Sequence, residues 1–204
     1  MRSTCFAIAF AMTLAAVPAL ALAPAGQRVN IRGTVEKLDG HTLMVKDRDG
    51  KTDTVTLAKK IAIRGVVKKT LADIHQGDFV ASTSVKGADG KLHAIEIHIF
   101  PPTLKGVVPE LQTPWDLVPG SIMTNAIVTG IAAAPKGNTL KVTFKGHETE
   151  VIVPPNIPIV SYVPGGDSLL KPGAAVFIIA LKKPDGSLTT ASVTAEKNGV
   201  KPPM

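Results

Sequence analysis

The stretch IRGTVEKLDGHTLMVKDRDG, residues 31–50, decides how the chain is read. Val29, Ile31, Gly33 and Val35 alternate with Asn30, Arg32, Thr34 and Glu36, the two-residue period of a strand that buries one face. Asp39-Gly40 and Asp49-Gly50 follow at hairpin spacing, and Asp-Gly supplies the positive φ values that tight β-turns need. The chain therefore turns back twice, into Thr42 to Lys46 and Thr52 to Leu57, and makes a three-strand meander. Further strands are expected from Ile61 to Arg64, Asp78 to Val85 and Leu92 to Phe100. Between them Lys69 to His75 holds one short helical turn, with Thr70 placed to cap it and Gly77 to end it.

The same order returns later in the chain. Gly33, Gly40, Thr42-Leu43 and Val45 match Gly130, Gly137, Thr139-Leu140 and Val142 at an offset of 97 (130 − 33). Gly50, Val55, Ile61, Ile63, Gly77, Val80 and Asp89-Gly90 match Gly146, Val151, Ile157, Ile159, Gly173, Val176 and Asp185-Gly186 at 96 (186 − 90). The glycines and Asp-Gly turns fall in register, which reads as two copies of one small domain. Second-copy strands are expected from Ala126 to Ala133, Thr139 to Lys145, Glu148 to Val153, Ile157 to Tyr162, Ala175 to Lys182 and Ser187 to Glu196, with a turn near Ser168 to Leu170.

Three strands, a short helical element and two more strands is the order of an OB-type barrel, which closes on itself to hide its edges. The expected fold is thus all-β: two tandem small OB-like β-barrels, at 28–100 and 125–198, with a tail at 199–204. A β-sandwich of the same strands is the alternative. Residues 101–124 join the copies and contain Pro101, Pro102, Pro109, Pro114 and Pro119, too much proline for a helix or a central strand. Leu104, Val107, Val108, Leu111, Trp115, Leu117 and Val118 make the linker too apolar to hang free, so it is expected to pack across both barrels.

Ahead of the first copy, Met1-Arg2 precedes an uncharged run from Cys5 to Leu22, followed by Ala21-Leu22-Ala23-Pro24-Ala25. That is the pattern of a secretory signal peptide over residues 1–25, cut after Ala25 or Ala21. Its loss leaves 22 basic residues (23 − 1) against 16 acidic ones. The excess is spread along strand edges and hairpin ends, which implies weak attraction to anions and no dedicated nucleic-acid groove. Cys5 is the one cysteine and falls in the leader, so thiol and disulfide chemistry are excluded from the expected mature chain.

The strings IRGTVEKLDGHTLMVKDRDG, LADIHQGDFV, PWDLVPGSIMTNA, VPPNIPIV, SLLKPGAAVF and KNGVKPPM together resemble a family of small exported proteobacterial proteins with tandem OB-like β-barrel domains of unknown function. The likeness runs from about Arg32 to Met204, with Pro114-Trp115-Asp116-Leu117 and the final Pro-Pro-Met as its most specific parts. Such proteins sometimes carry the label of metal-transporter permease, which the lack of a second long apolar run contradicts. The resemblance implies fold and export, and no activity.

Candidate chemistry is sparse. In His93-Ala-Ile-Glu96-Ile-His98, Glu96 and His98 share one strand face and could give a metal two ligands, while His93 points away; a third would have to come from His41 or His75. Asp47 to Asp53 is acidic like a calcium loop, but Gly50 comes too early and no Glu closes it. Gly165-Gly166-Asp167-Ser168 reads as a turn, with neither a nucleophile elbow nor a phosphate loop around it. Phe79, Phe100, Phe144 and Phe177 lie among aliphatic strand residues and read as core, which leaves too few aromatics for a single-strand nucleic-acid platform. Trp115, beside Asp116, is either an anchor for a ligand or partner or a plug between the barrels with its indole N–H on a carbonyl.

The expectation is therefore a non-enzymatic binding or assembly module of the cell envelope, periplasmic or secreted, with no cofactor, no nucleic acid, no membrane span after leader removal, and an envelope protein or polymer as partner. The alternatives are a periplasmic transition-metal-binding protein using Glu96 and His98, and a hydrolase with a site between the barrels.

Overall fold

A computed structural model describes residues 26–134 and 137–203, so the expected leader, with Arg2 and Cys5, lies outside the described residues. Within them the strands are β1 (Gln27–Asp39), β2 (Thr42–Asp47), β3 (Thr52–Lys69), β4 (Phe79–Lys86), β5 (Leu92–Ile99), β6 (Leu111–Pro114), β7 (Ile122–Ala134), β8 (Gly137–Phe144), β9 (His147–Val153), β10 (Ile159–Pro164), β11 (Ala175–Lys182) and β12 (Leu188–Ala195). Short 3-10 turns at Leu71–Asp73, Pro102–Leu104 and Asp167–Leu169 are the remaining regular elements. The first of them is held by Asp73, whose carboxylate accepts from both the N–H and the hydroxyl of Thr70. Those bonds, with a third from Lys69, hold the Asp73 carboxyl down at about 2. No helix is long and apolar enough to cross a membrane among the described residues.

The ladders close in an order that the expected division into 28–100 and 125–198 does not describe. β1 pairs with β2 and β11, β3 with β2 and β12, and β11 with β12, so β1, β2, β3, β12 and β11 close into a five-strand barrel. Its first three strands lie before residue 100 and its last two after residue 125. Conversely, β4 and β5 join β7, β8 and β9 in a second closed ring of ladders. The seam of this ring, β5 with β9, is short, only Leu92↔Val151 and His93↔Ile152. Each ring has its own apolar interior, the first built on Leu43, Val45, Val55, Ile178 and Val193, the second on Ile97, Leu140, Val142, Val151 and Ala126.

The exchange is reciprocal about a local twofold. Parallel pairing Leu188↔Val55 in the first ring has the counterpart Leu92↔Val151 in the second, and Val193↔Ile63 has Ile97↔Ile159, each at an offset of 96 (188 − 92, 159 − 63). Antiparallel β3 and β10 cross at the centre, where Val66 faces Tyr162, its own counterpart at 96 (162 − 66). β3 runs unbroken through both regions. In the matching stretch near 147–164, Pro154, Pro155 and Pro158 remove the donors a continuous strand would need, and β9 and β10 are separate.

One correspondence differs from the sequence match. A β-bulge interrupts β1 after Val35 and β7 after Val128, and the Val35 N–H donates to Ala174 as the Val128 N–H does to Asp78. The offset between β1 and β7 is therefore 93 (128 − 35), and Gly33 corresponds to Ala126 rather than to Gly130. The bulge, not the glycine, sets the register of the opening strand.

Residues 101–121 cross between the rings as a strap. β6 adds to the edge of β7, the Asn125 side-chain amide donates to the Pro109 carbonyl, and the Lys145 N–H donates to Glu110. At its far end Asp116 accepts from Asn30 and Arg32 on the first ring.

Candidate functional site

The alternation that fills the rings with aliphatic side chains sends the intervening residues outward, and the outward faces of the two rings oppose each other under the strap. From the first ring come Arg28 and Asn30 of β1, Arg64 of β3, Phe177 and Ile179 of β11, and Ser192 and Thr194 of β12. Facing them are Ala81 of β4, His98 of β5, Met123 and Asn125 of β7, and Tyr162 of β10. Phe100 and the strap residues Leu104, Val108, Leu111 and Trp115 roof the space. The cavity has a volume of ≈ 610 Å³, within the range of small-molecule sites. Phe100 and Phe177 stand in its walls, outside both ring interiors; Phe177 is buried as expected of a core residue, whereas Phe100 is only half-buried, which corrects its reading as core.

Two aromatic groups shape it. Phe79, Phe100, Tyr162 and His98 form a stacked run with centroids 5.0, 5.5 and 5.4 Å apart. Trp115 and Phe177 meet at 6.3 Å on the other side, with the Arg32 guanidinium 5.8 Å from the Trp115 centroid and 5.1 Å from that of Phe177. Arg32 donates to both oxygens of Asp116, at 2.7 and 3.1 Å, so one buried cation fixes the strap by a two-point ion pair and two ring faces. Beyond Trp115 a second hollow of ≈ 580 Å³ is bordered by Arg28, Asn30, Pro114 and Asp116, which makes the indole a partition.

Partial burial alone would raise the Asp116 carboxyl, but hydrogen bonds from Arg32 and Asn30 outweigh it and leave the group below its ordinary value. A carboxylate depressed in the folded state gives its full stabilisation above the unfolded value near 3.9, and the contribution is lost as pH falls through the lower folded value. Half of the Asp116 side chain is exposed, so the effect is local and screened by salt. Trp115 is the sole tryptophan, and its emission is expected to shift in acid below about pH 4 as the strap loosens. Asp116→Asn is expected to abolish that transition; an unchanged titration would show that Asp116 does not hold the strap.

The structure brings Glu96 and His98 together and leaves the other histidines elsewhere. Glu96 is fully buried, its Oε1 accepting from the Thr83 hydroxyl at 2.6 Å. Its Oε2 lies 3.7 Å from His98 Nε2, and both atoms are buried without a hydrogen-bond partner. His98 Nδ1 and the Tyr162 hydroxyl share a hydrogen bond of 2.8 Å. His93 is paired with Asp89 and His75 with Asp78, and no cluster of three or more His, Cys, Asp or Glu able to hold a metal exists among the described residues. Two donors are fewer than a structural or catalytic zinc uses. Burial first, and then the Glu96 carboxylate, push the Tyr162 hydroxyl far above its ordinary value, so the phenol stays protonated at neutral pH and acts as a hydrogen-bonding group.

Of the pair singled out in the sequence, Trp115 lines this cavity and Asp116 borders the hollow beyond it; the indole Nε1 is buried with no acceptor, in contrast to the carbonyl partner expected of a plug. Sequence reasoning passed over Arg28, Arg32, Arg64 and Tyr162. The available signal was an arginine at an outward position beside strongly apolar strand residues, Ile63 and Val66 in the case of Arg64. No family model matches the chain, and no curated protein or solved structure is significantly similar to it.

Proposed function

We propose that the protein is an exported, non-enzymatic binding module of the bacterial cell envelope, built from a duplicated OB-like unit, whose ligand site is the cavity between the two rings. The observation that carries the binding reading is the cavity: aromatic walls, an apolar roof and a few convergent polar groups on rigid strands, the usual make-up of a small-molecule site. The leader pattern of residues 1–25 supports export. Catalysis has weaker support, because His98 Nδ1 is bonded to a protonated phenol and not to a nucleophile.

The test uses N-phenyl-1-naphthylamine, a neutral aromatic probe whose emission rises in apolar surroundings. One probe per chain is expected to bind, and Thr194→Trp, which fills the cavity from β12, is expected to abolish binding while the thermal midpoint stays close to that of the parent. Binding that survives Thr194→Trp places the site elsewhere. Osmotic-shock fractionation of the native host tests export; a chain found only in the cytoplasm with residues 1–25 intact contradicts it.

A further inference from the structure

We propose that the cavity takes an organic anion with an apolar body, the acidic group held at Arg64 with Arg28 at the mouth, and the body lying between the Phe100–Tyr162 and Trp115–Phe177 walls. This deepens the binding reading above and rests on it. The sign of the ligand follows from the lining. Arg28 and Arg64 both border the cavity, and no Asp or Glu does. Glu96 is fully buried beside Thr83 and His98 and takes no part in the cavity surface, and Asp116 is committed to Arg32 and Asn30.

The arginines of this region fall into two kinds. Arg32 has its counter-ion, Asp116, in a two-point contact. Arg28 and Arg64 have no carboxylate partner in any ion pair among the described residues. Arg64 is the more telling, since it is half-buried on β3 within electrostatic reach of Tyr162 at the local twofold. A partly desolvated guanidinium without a partner is costly, and a planar, multiply donating group is suited to a carboxylate, sulfonate or phosphate. Trp115 lends the cavity its ring, while its indole N–H is itself buried away from the surface. Two guanidinium groups face this space with no carboxylate among its lining, a charge that a cationic or purely hydrocarbon ligand would leave uncompensated. The walls meanwhile call for an apolar, preferably aromatic, body.

The charge is read by a matched pair of probes titrated into the full chain: 8-anilinonaphthalene-1-sulfonate, and N-phenyl-1-naphthylamine, the same body without the sulfonate. The sulfonate is expected to bind roughly tenfold tighter or more, the scale of a charge-assisted hydrogen bond in a half-buried site. Its advantage is expected to shrink with added salt. Arg64→Gln is expected to remove most of the advantage and leave the neutral probe unchanged; exposed Arg28→Gln gives a smaller loss in the same direction and serves if Arg64→Gln does not fold. Equal or tighter binding of the neutral probe, or an advantage untouched by both variants, overturns the anion while the cavity remains a binding site. Failure of both probes to bind overturns the binding reading and this inference together.

Discussion

A single cut between Lys105 and Gly106, made through a protease site inserted in the strap, is expected to leave the two pieces bound to each other. The cut falls between the copies, where a tandem pair of independent barrels would separate. Here six ladders cross it: β1–β11, β3–β12, β3–β10, β5–β10, β4–β7 and β5–β9. Neither ring is complete without strands of the other piece, and parting them would expose both apolar interiors along with open strand edges. The cut protein is expected to elute as one species at the intact size, and its pieces to part only on unfolding. Two separately eluting pieces, each with its own cooperative transition, would falsify the exchanged topology.

Gly33→Ala is expected to be among the most destabilising single changes in the chain, while Gly130→Ala, its match by sequence identity, is expected to be nearly neutral. Gly33 pairs with Val176 on one side and Asp47 on the other. A Cβ there would run into the backbone carbonyl of Lys46 and come within 2.8 Å of Val45 Cγ1. Backbone on a doubly paired strand cannot step aside as a side chain can, so a cost of about 3 kcal/mol is expected, at the upper end for overpacking. At Gly130 the nearest atoms to a new Cβ belong to the Lys141 side chain at 3.9 Å. The structural counterpart of Gly33 is Ala126, already a buried alanine. Chemical denaturation of the two variants separates the cases: equal losses would mean that the bulge does not set the correspondence between β1 and β7.

Why the strands were legible and their partners were not follows from the likeness of the two stretches, 28–100 and 125–198. Alternation in Val29–Val35 and the Asp-Gly turns at 39–40, 49–50, 89–90 and 185–186 point to strands and hairpins by local physics alone. β5 and β12 are near-equivalents, and so are β4 and β11, so exchanging them changes few of the side-chain environments that a pattern can report. Continuity of β3 through Ala58 to Lys60 was hidden because those residues face out and lack a buried alternation. Of the residues named from type and spacing, His98 and Trp115 line the cavity, while Glu96 lies buried behind His98 and Asp116 borders the neighbouring hollow. Their association with Arg32, Arg64, Phe177 and Tyr162 arises only where two rings meet, and no periodicity within either copy encodes that meeting.

The exchanged strands also bear on when the chain can fold as it is made. β1, β2 and β3 must wait for β11 and β12, so the first barrel has no seam to close until residue 195 has left the ribosome. For most of synthesis the N-terminal third is a hairpin meander with open edges, slow to settle and easily drawn out again. A polypeptide that is to be threaded through a secretion pore, as we propose for this one, gains from that delay, because translocation requires a chain still unfolded when its leader reaches the membrane.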